Sequence, residues 1–260
     1  MQKAVACNSG KNTLRGMIHM PECALNGTQK VPMVIIFHGF TAVRSENKFM
    51  FVDLSRVLEK AGIASVRFDF AGSGESDGCF CDVSVSSEIK DGEAILEYVK
   101  SMPEVDTDNI FILGMSMGGV VAGMLSGRHC EELKGCVLWS PAAVLQDDLK
   151  KGYIQDVKFD LSNVPEYVDV HGLAVGKCFV EDGLALDIYG ETSNFTKATL
   201  ILHGDMDDIA PLEYSHKYTE HLTNSQLIIV PGAKHSYDTI ELKDTFINES
   251  VRFIKQHSSQ

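Results

Sequence analysis

The stretch Ile110-Phe111-Ile112-Leu113-Gly114-Met115-Ser116-Met117-Gly118-Gly119-Val120-Val121-Ala122-Gly123-Met124-Leu125 joins two different patterns across one serine. Its first four residues form a continuous apolar run suited to a strand buried on both faces, and Gly119 to Leu125 are small and apolar enough for a closely packed helix. Gly114-x-Ser116-x-Gly118 falls between them. As a string G-x-S-x-G is weak, but a strand, a sharp turn and a helix in succession place Ser116 in a strained backbone conformation whose clashes the flanking glycines relieve. A glycine-rich turn with an incidental serine is the weaker reading.

Working outward, similar apolar runs recur at Val31 to Phe37, Ala64 to Phe70, Gly135 to Trp139 and Thr199 to Leu202. Ser225 to Val230 reads as a last strand. Helical stripes separate them at Lys48 to Ala61 and Ser86 to Lys100, and Thr239 to Gln256 predicts a closing helix. Strand-helix alternation of this kind predicts an α/β fold: a mostly parallel, twisted sheet with helices on both faces. Gln2 to Ala6 and Leu14 to His19 read as an antiparallel edge hairpin. The rhythm breaks between Ala142 and Asp187, where the chain turns polar and irregular. A connection that long is functional or disordered, and its Tyr, Phe, Val and Leu content argues against disorder, so residues 142–187 are expected to form an inserted cap in a single domain, 1–260.

The 260 residues carry 36 acidic and 23 basic side chains, a net charge of −13. Such a chain repels phosphate backbones and anionic headgroups, so neither nucleic acid nor a membrane surface is an expected partner; a small neutral or weakly charged molecule is. No run reaches the length of a membrane span, and Met1 to Ala6 lacks the pattern of a secretory signal. The seven cysteines fit neither a disulfide framework nor zinc knuckles; reduced, mostly packed thiols in the cytoplasm are expected.

A serine hydroxyl becomes nucleophilic only when a base takes its proton and an acid orients that base. Downstream of Ser116, two loops follow strand C-termini, where open α/β sheets place ligands. The second contains His235, the expected base. His19, His129, His216, His221 and His257 lie in edge, helical or turn segments. His171 is a lone cap histidine, and His203 is expected to hydrogen-bond beneath the acid loop. That loop offers Asp205, Asp207 and Asp208. Gly204, Asp207 and Pro211 fit a G-x-x-D-x-x-x-P pattern, so Asp207 is the expected acid, Asp208 the fallback, and Asp205 a residue that ties down the turn. The developing oxyanion needs donors, assigned to the backbone N–H groups of Met117, next to the nucleophile, and of Phe40, after the first long strand. His38 is expected to stiffen that loop, since no metal-ligand spacing surrounds it. Asp69 to Gly78 is glycine-rich, but Asp77 breaks the dinucleotide spacing and the acids at Glu75 and Asp77 would repel phosphate; it reads as a tight turn near the site floor.

Several segments together resemble the α/β-hydrolase superfamily, and within it the bacterial feruloyl (cinnamoyl) esterases: Val34 to Thr41, Ser65 to Phe70 with Gly72 to Gly78, Leu113 to Gly119, and Leu138-Trp139-Ser140-Pro141-Ala142. The resemblance implies a Ser116, Asp207 and His235 triad, no metal or organic cofactor, and a cap (lid) that forms an aromatic acyl pocket. By position, Asp148 and Gln155 resemble the polar residues that meet phenolic hydroxyls in that family. Phe179 stands where relatives can carry tyrosine and would lose one hydroxyl contact. The implied partner is a small-molecule ester with an aromatic acyl group; whether the chain forms a homodimer is left open. Short-chain esters, thioesters and peptides are the alternatives within the fold, and a non-catalytic receptor lies outside that chemistry.

Overall fold

A computed structural model describes residues 1–27 and 29–258. Eight strands build the main sheet: β1 (Gln2–Ser9), β2 (Asn12–His19), β3 (Val31–Phe37), β4 (Ala64–Phe68), β5 (Val105–Met115), β6 (Gly135–Trp139), and, beyond two small hairpins, β11 (Ala198–Gly204) and β12 (Ser225–Val230). They lie in the order β1-β2-β4-β3-β5-β6-β11-β12. Every pair from β4 to β12 is parallel, and β1 and β2 form the antiparallel edge.

The side-chain period of two divides the apolar strand residues between two cores. From β3, Met33, Ile35 and Phe37 enter one, against Ile89, Ile95 and Leu96 of α3 (Val85–Lys100) and Val120, Val121 and Met124 of α4 (Met117–Arg128). Val34 and Ile36 enter the other, against Phe51, Leu54 and Leu58 of α2 (Met50–Lys60) and Phe246, Ile247 and Ile254 of α9 (Ile240–His257). The remaining helices are α1 (Glu22–Leu25), α5 (Val144–Lys150), α6 (Lys177–Ala185), α7 (Ile188–Ser193) and α8 (Glu213–His221). Among the described residues no helix is long and apolar enough to cross a membrane.

Several boundaries differ from the sequence reading. Helix α2 begins at Met50 rather than Lys48, because Lys48 and Phe49 take φ of 50° and 59°, which a right-handed helix cannot include. Strand β5 starts five residues early: polar Asp106 to Asn109 hide the pattern, but Val105 pairs with Val31. The segment 142–187 is more regular than its sequence suggests. It contains α5, the hairpin β7 (Tyr153–Ile154) and β8 (Val157–Lys158), the hairpin β9 (Tyr167–Val170) and β10 (Leu173–Gly176), and α6. His171 and Gly172 both have positive φ, the backbone that a two-residue turn with the natural strand twist requires. The cysteines also depart from expectation. Cys79 and Cys81 are joined as a disulfide, and of Cys7, Cys130, Cys136 and Cys178 only Cys136 is fully buried, while Cys178 is exposed.

Glu88 of α3 is 2% exposed and its Oε2 has no hydrogen-bond partner. Burial, with the Asp91 charge beside it, raises its pKa well above 4.5. The native state therefore keeps a proton that the unfolded chain releases, so stability falls as pH rises from the ordinary carboxylate range towards the native value, by about 1.4 kcal/mol per pH unit. Glu88→Gln should abolish this part of the slope and raise the melting temperature at pH 8 more than at pH 5. Thermal unfolding at both pH values checks it; an equal change at the two would refute it.

Candidate active site

Strand β5 delivers Ser116 to the C-terminal edge of the sheet, and α4 starts at the next residue. Ser116 has φ 57° and ψ −124°, strained for a residue with a Cβ. The glycines beside it have no spare room: a Cβ on Gly114 would collide with the Gly118 carbonyl, and one on Gly118 with the His38 carbonyl. The turn is tied on both sides, since the Ser116 N–H donates to the Trp139 carbonyl at 2.9 Å and the Ser116 carbonyl accepts from Gly119 (2.9 Å) and Ala142 (3.1 Å).

His235, in the loop after β12, places Nε2 3.0 Å from Ser116 Oγ and Nδ1 2.8 Å from Asp207 Oδ2. Asp207, after β11, is 9% exposed, and its Oδ1 accepts the N–H groups of Ile209 (3.0 Å) and Ala210 (2.8 Å). Burial alone would raise its pKa, but hydrogen bonds from His203 and His235, the His235 charge and the Ala210 N–H outweigh it and hold the carboxyl well below the usual range. An ionised Asp207 accepts a hydrogen bond from His235 Nδ1–H, which keeps the ring proton on Nδ1 and leaves Nε2 free to accept one from Ser116. His203 is completely buried and bonds Ser215 Oγ (2.6 Å), the Ala210 carbonyl (2.7 Å) and Asp207 (3.3 Å). Asp205 accepts the Gly232 N–H at 2.6 Å and so links the two loops. Asp208 is exposed and turns to the pocket rim.

Phe40 and Met117 flank Ser116 in one pocket of about 570 Å³. Met117 is the first residue of α4, where an amide has no acceptor within its own helix. The Phe40 peptide is fixed through the carbonyl before it: His38 Nε2 accepts the Phe70 N–H at 3.1 Å, so the proton sits on Nδ1, which donates to the Gly39 carbonyl at 2.9 Å. Burial lowers the His38 pKa and favours this neutral form.

The rest of the pocket comes largely from the segment 142–187. Leu145, Leu149, Ile154 and Phe179 supply an apolar wall, and Asp148, Tyr153, Gln155 and Asp156 the polar groups. Phe179 is buried and stacks on Phe40 with ring centroids 4.9 Å apart. Burial, with Asp147 adding to it and Lys151 opposing, raises the Asp148 pKa. Asp148, Gln155 and Phe179, singled out from the sequence in this segment, thus all line the cavity that holds Ser116. His171 does not; it pairs at the exposed hairpin turn with Asp156, 2.7 Å away. Ile209, in the loop of Asp207, also lines the pocket, and Phe80 packs against Phe40 with its ring tilted by 41° and the centroids 5.6 Å apart. Neither was singled out, because an isolated apolar residue in a polar loop carries no periodic signal.

A family model described as serine aminopeptidase, S33, matches residues 28–166, more than half of the chain. The solved structure of Est1E from Butyrivibrio proteoclasticus with ferulic acid bound is 27% identical, with a TM-score of 0.89 over 98% of this chain and 99% of that one. Among curated proteins, an uncharacterized 31.7 kDa protein from the traX-finO intergenic region of Escherichia coli is 25% identical over 130 residues, which cover 50% of this chain and 44% of that protein. Human protein ABHD12B is 24% identical over 217 residues, 79% of this chain and 56% of that protein. The chain thus spans about half the length of these curated relatives. With its parallel sheet, its serine on the strand-to-helix turn and the family match over that turn, the chain belongs to the serine aminopeptidase S33 family of α/β-hydrolases.

Proposed function

We propose that the protein is a serine carboxylic-ester hydrolase that releases hydroxycinnamic, ferulic-type acids. The observation that carries this reading is the pocket beside Ser116: an apolar slot with Phe179 stacked on Phe40, and Asp148 and Gln155 as polar groups in its wall. Its volume, about 570 Å³, suits a single aromatic acyl group. The end-to-end likeness to Est1E, which was solved with ferulic acid bound, supports the same substrate class.

In this reading Ser116 Oγ attacks the ester carbonyl while His235 Nε2 takes its proton, and Asp207 stabilises the imidazolium. The N–H groups of Phe40 and Met117 receive the negative charge on the carbonyl oxygen. His235 then protonates the leaving alcohol, and water repeats the cycle on the acyl-enzyme. The chemistry proceeds without metal or organic cofactor.

A second reading, cleavage of an amino-terminal peptide bond, is favoured by the description of the matching family model. A panel of methyl ferulate, nitrophenyl acetate, an acyl-CoA and an aminoacyl amide separates the readings. Methyl ferulate should give the highest kcat/KM; a higher value for the amide would replace the esterase reading. Asp148→Ala should raise KM for methyl ferulate about tenfold, the loss of one hydrogen bond to a charged group, and leave nitrophenyl acetate unaffected. Equal losses on both substrates would remove Asp148 from ring recognition.

A further inference from the structure

The loop between β3 and α2 carries a carboxyl group that the hydrolytic scheme leaves unused. Glu46 Oε1 accepts the Gly39 N–H at 3.3 Å, while Oε2 is buried without a hydrogen-bond partner. A Cβ built on Gly39 would lie 3.1 Å from Ser116 Cβ and 3.2 Å from Glu46 Oε1, so the carboxyl and the nucleophile bracket a single glycine. The local sequence creates this placement. Glu46, Lys48 and Phe49 all have positive φ (58°, 50° and 59°), and the Glu46 N–H closes a tight turn on the Val43 carbonyl at 2.8 Å. That turn sends Glu46 inwards, while Lys48 pairs with Asp238 at 2.7 Å and Phe49 stays 69% exposed.

Groups from neighbouring elements bear on this carboxyl. From the loop after β12, His235 bears on it electrostatically, and the buried Tyr237 hydroxyl feels its charge. The elbow contributes Ser116, which does not ionise. On its own loop, Arg44 is engaged by Asp69 and Glu75, and Lys48 by Asp238. Among these described groups, His235 is the cation-forming one that an ionised Glu46 can act on.

We propose that Glu46 is a positioning residue for the hydrolytic centre: as a carboxylate it holds the Gly39–Phe40 segment of the oxyanion loop and stabilises the imidazolium of His235, so that turnover requires it ionised. The proposal rests on the reading of Ser116 and His235 as nucleophile and base. Burial pushes the Glu46 pKa up to about 7, against the opposing Gly39 N–H, His235 charge and Asn47 N–H. As pH falls through that value Glu46 gains a proton and its negative charge disappears. Two deprotonations, one at each group, then precede activity, and their apparent pKa values belong to the pair. The acid limb of log kcat/KM should approach a slope of two.

Glu46→Gln keeps an oxygen acceptor for the Gly39 N–H and removes only the charge. The expected result is a kcat lower by about a hundredfold or more at pH 8 with KM little changed, an acid limb of slope one, and a midpoint moved to lower pH because the imidazolium has lost its partner. Glu46→Asp should recover the slope of two. A Glu46→Gln protein with the wild-type slope and midpoint overturns the proposal, whatever its kcat. If that variant does not fold, the carboxyl is followed by carbon NMR in Ser116→Ala protein: titration near pH 7, coupled to the His235 ring, supports the proposal, and a carboxyl still ionised at pH 5 overturns it. Ser116→Ala protein that retains a tenth of wild-type turnover would sink the underlying esterase reading, whereas Ser116→Ala protein slowed by orders of magnitude beside an unaltered Glu46→Gln pH profile sinks this inference alone.

Discussion

Replacement of Ser116 by alanine is expected to leave a folded protein whose hydrolysis of methyl ferulate is slower by on the order of 10⁴–10⁶-fold. The size follows from what the hydroxyl does. Without Oγ the proposed acyl-enzyme cannot form, and His235 Nε2, 3.0 Å from Oγ in the intact protein, can at best activate a water in its place. The Phe40 and Met117 N–H groups proposed as oxyanion donors and the pocket proposed for the acyl group remain, so a residual rate above the uncatalysed reaction should persist. Folding should be intact because the turn is held by backbone groups, the Ser116 N–H on the Trp139 carbonyl and its carbonyl on Gly119 and Ala142. Alanine also demands no more of the φ of 57° than serine does. The measurements are steady-state hydrolysis, circular dichroism, and labelling by a fluorophosphonate probe, which should mark wild-type protein at Ser116 and leave the variant unmarked. A variant that retains a tenth of wild-type activity would remove Ser116 from the mechanism.

The parallel sheet was legible in the sequence because its strands are buried on both faces, so that Val31 to Phe37 or Gly135 to Trp139 must be apolar throughout. The elbow was legible for a related reason: Gly114 and Gly118 are compelled by backbone atoms that leave no space for a Cβ. Local constraints of this strength write themselves into residue type. Helix α8 and the two hairpins of the segment 142–187 did not, since they are short or half-exposed and their polar residues can occupy several backbone states equally well. Long-range pairings were the least visible. Glu46 sits in a stretch that looks like an ordinary helix start, and only the three positive φ values that bend it inwards bring its carboxyl against Gly39. The stacking of Phe179 on Phe40 across 139 positions is similarly a property of the folded chain, although the resemblance of the cap had marked Phe179 as a residue to locate.

Asp207→Asn is expected to lower kcat by on the order of 10⁴-fold, and Asp208→Asn by less than about threefold. The two aspartates are neighbours in sequence with opposite surroundings, so the comparison isolates geometry from composition. Asp207 Oδ2 faces His235 Nδ1 at 2.8 Å, and Oδ1 is fixed by the N–H groups of Ile209 and Ala210. An asparagine that keeps its amide oxygen on those two N–H groups must turn its NH₂ towards His235. Nδ1 then has to accept, the ring proton moves to Nε2, and the tautomer able to take a proton from Ser116 is lost. The defect should ease as pH rises and hydroxide assumes the base's work, so the ratio of wild-type to variant rates should shrink above pH 9. The sign for stability is equally defined. Asp207 has a depressed pKa, so its stabilising contribution is present above the ordinary carboxylate range and is lost as pH falls through the native value; Asp207→Asn should therefore cost more stability at pH 7 than at pH 3. Asp208, exposed at the pocket rim, makes none of these contacts, and its charge there is screened by solvent. Rates for the two variants on one ester decide the matter: a large loss at Asp208 with little at Asp207 would transfer the role of acid to the neighbouring residue and require the loop after β11 to rearrange.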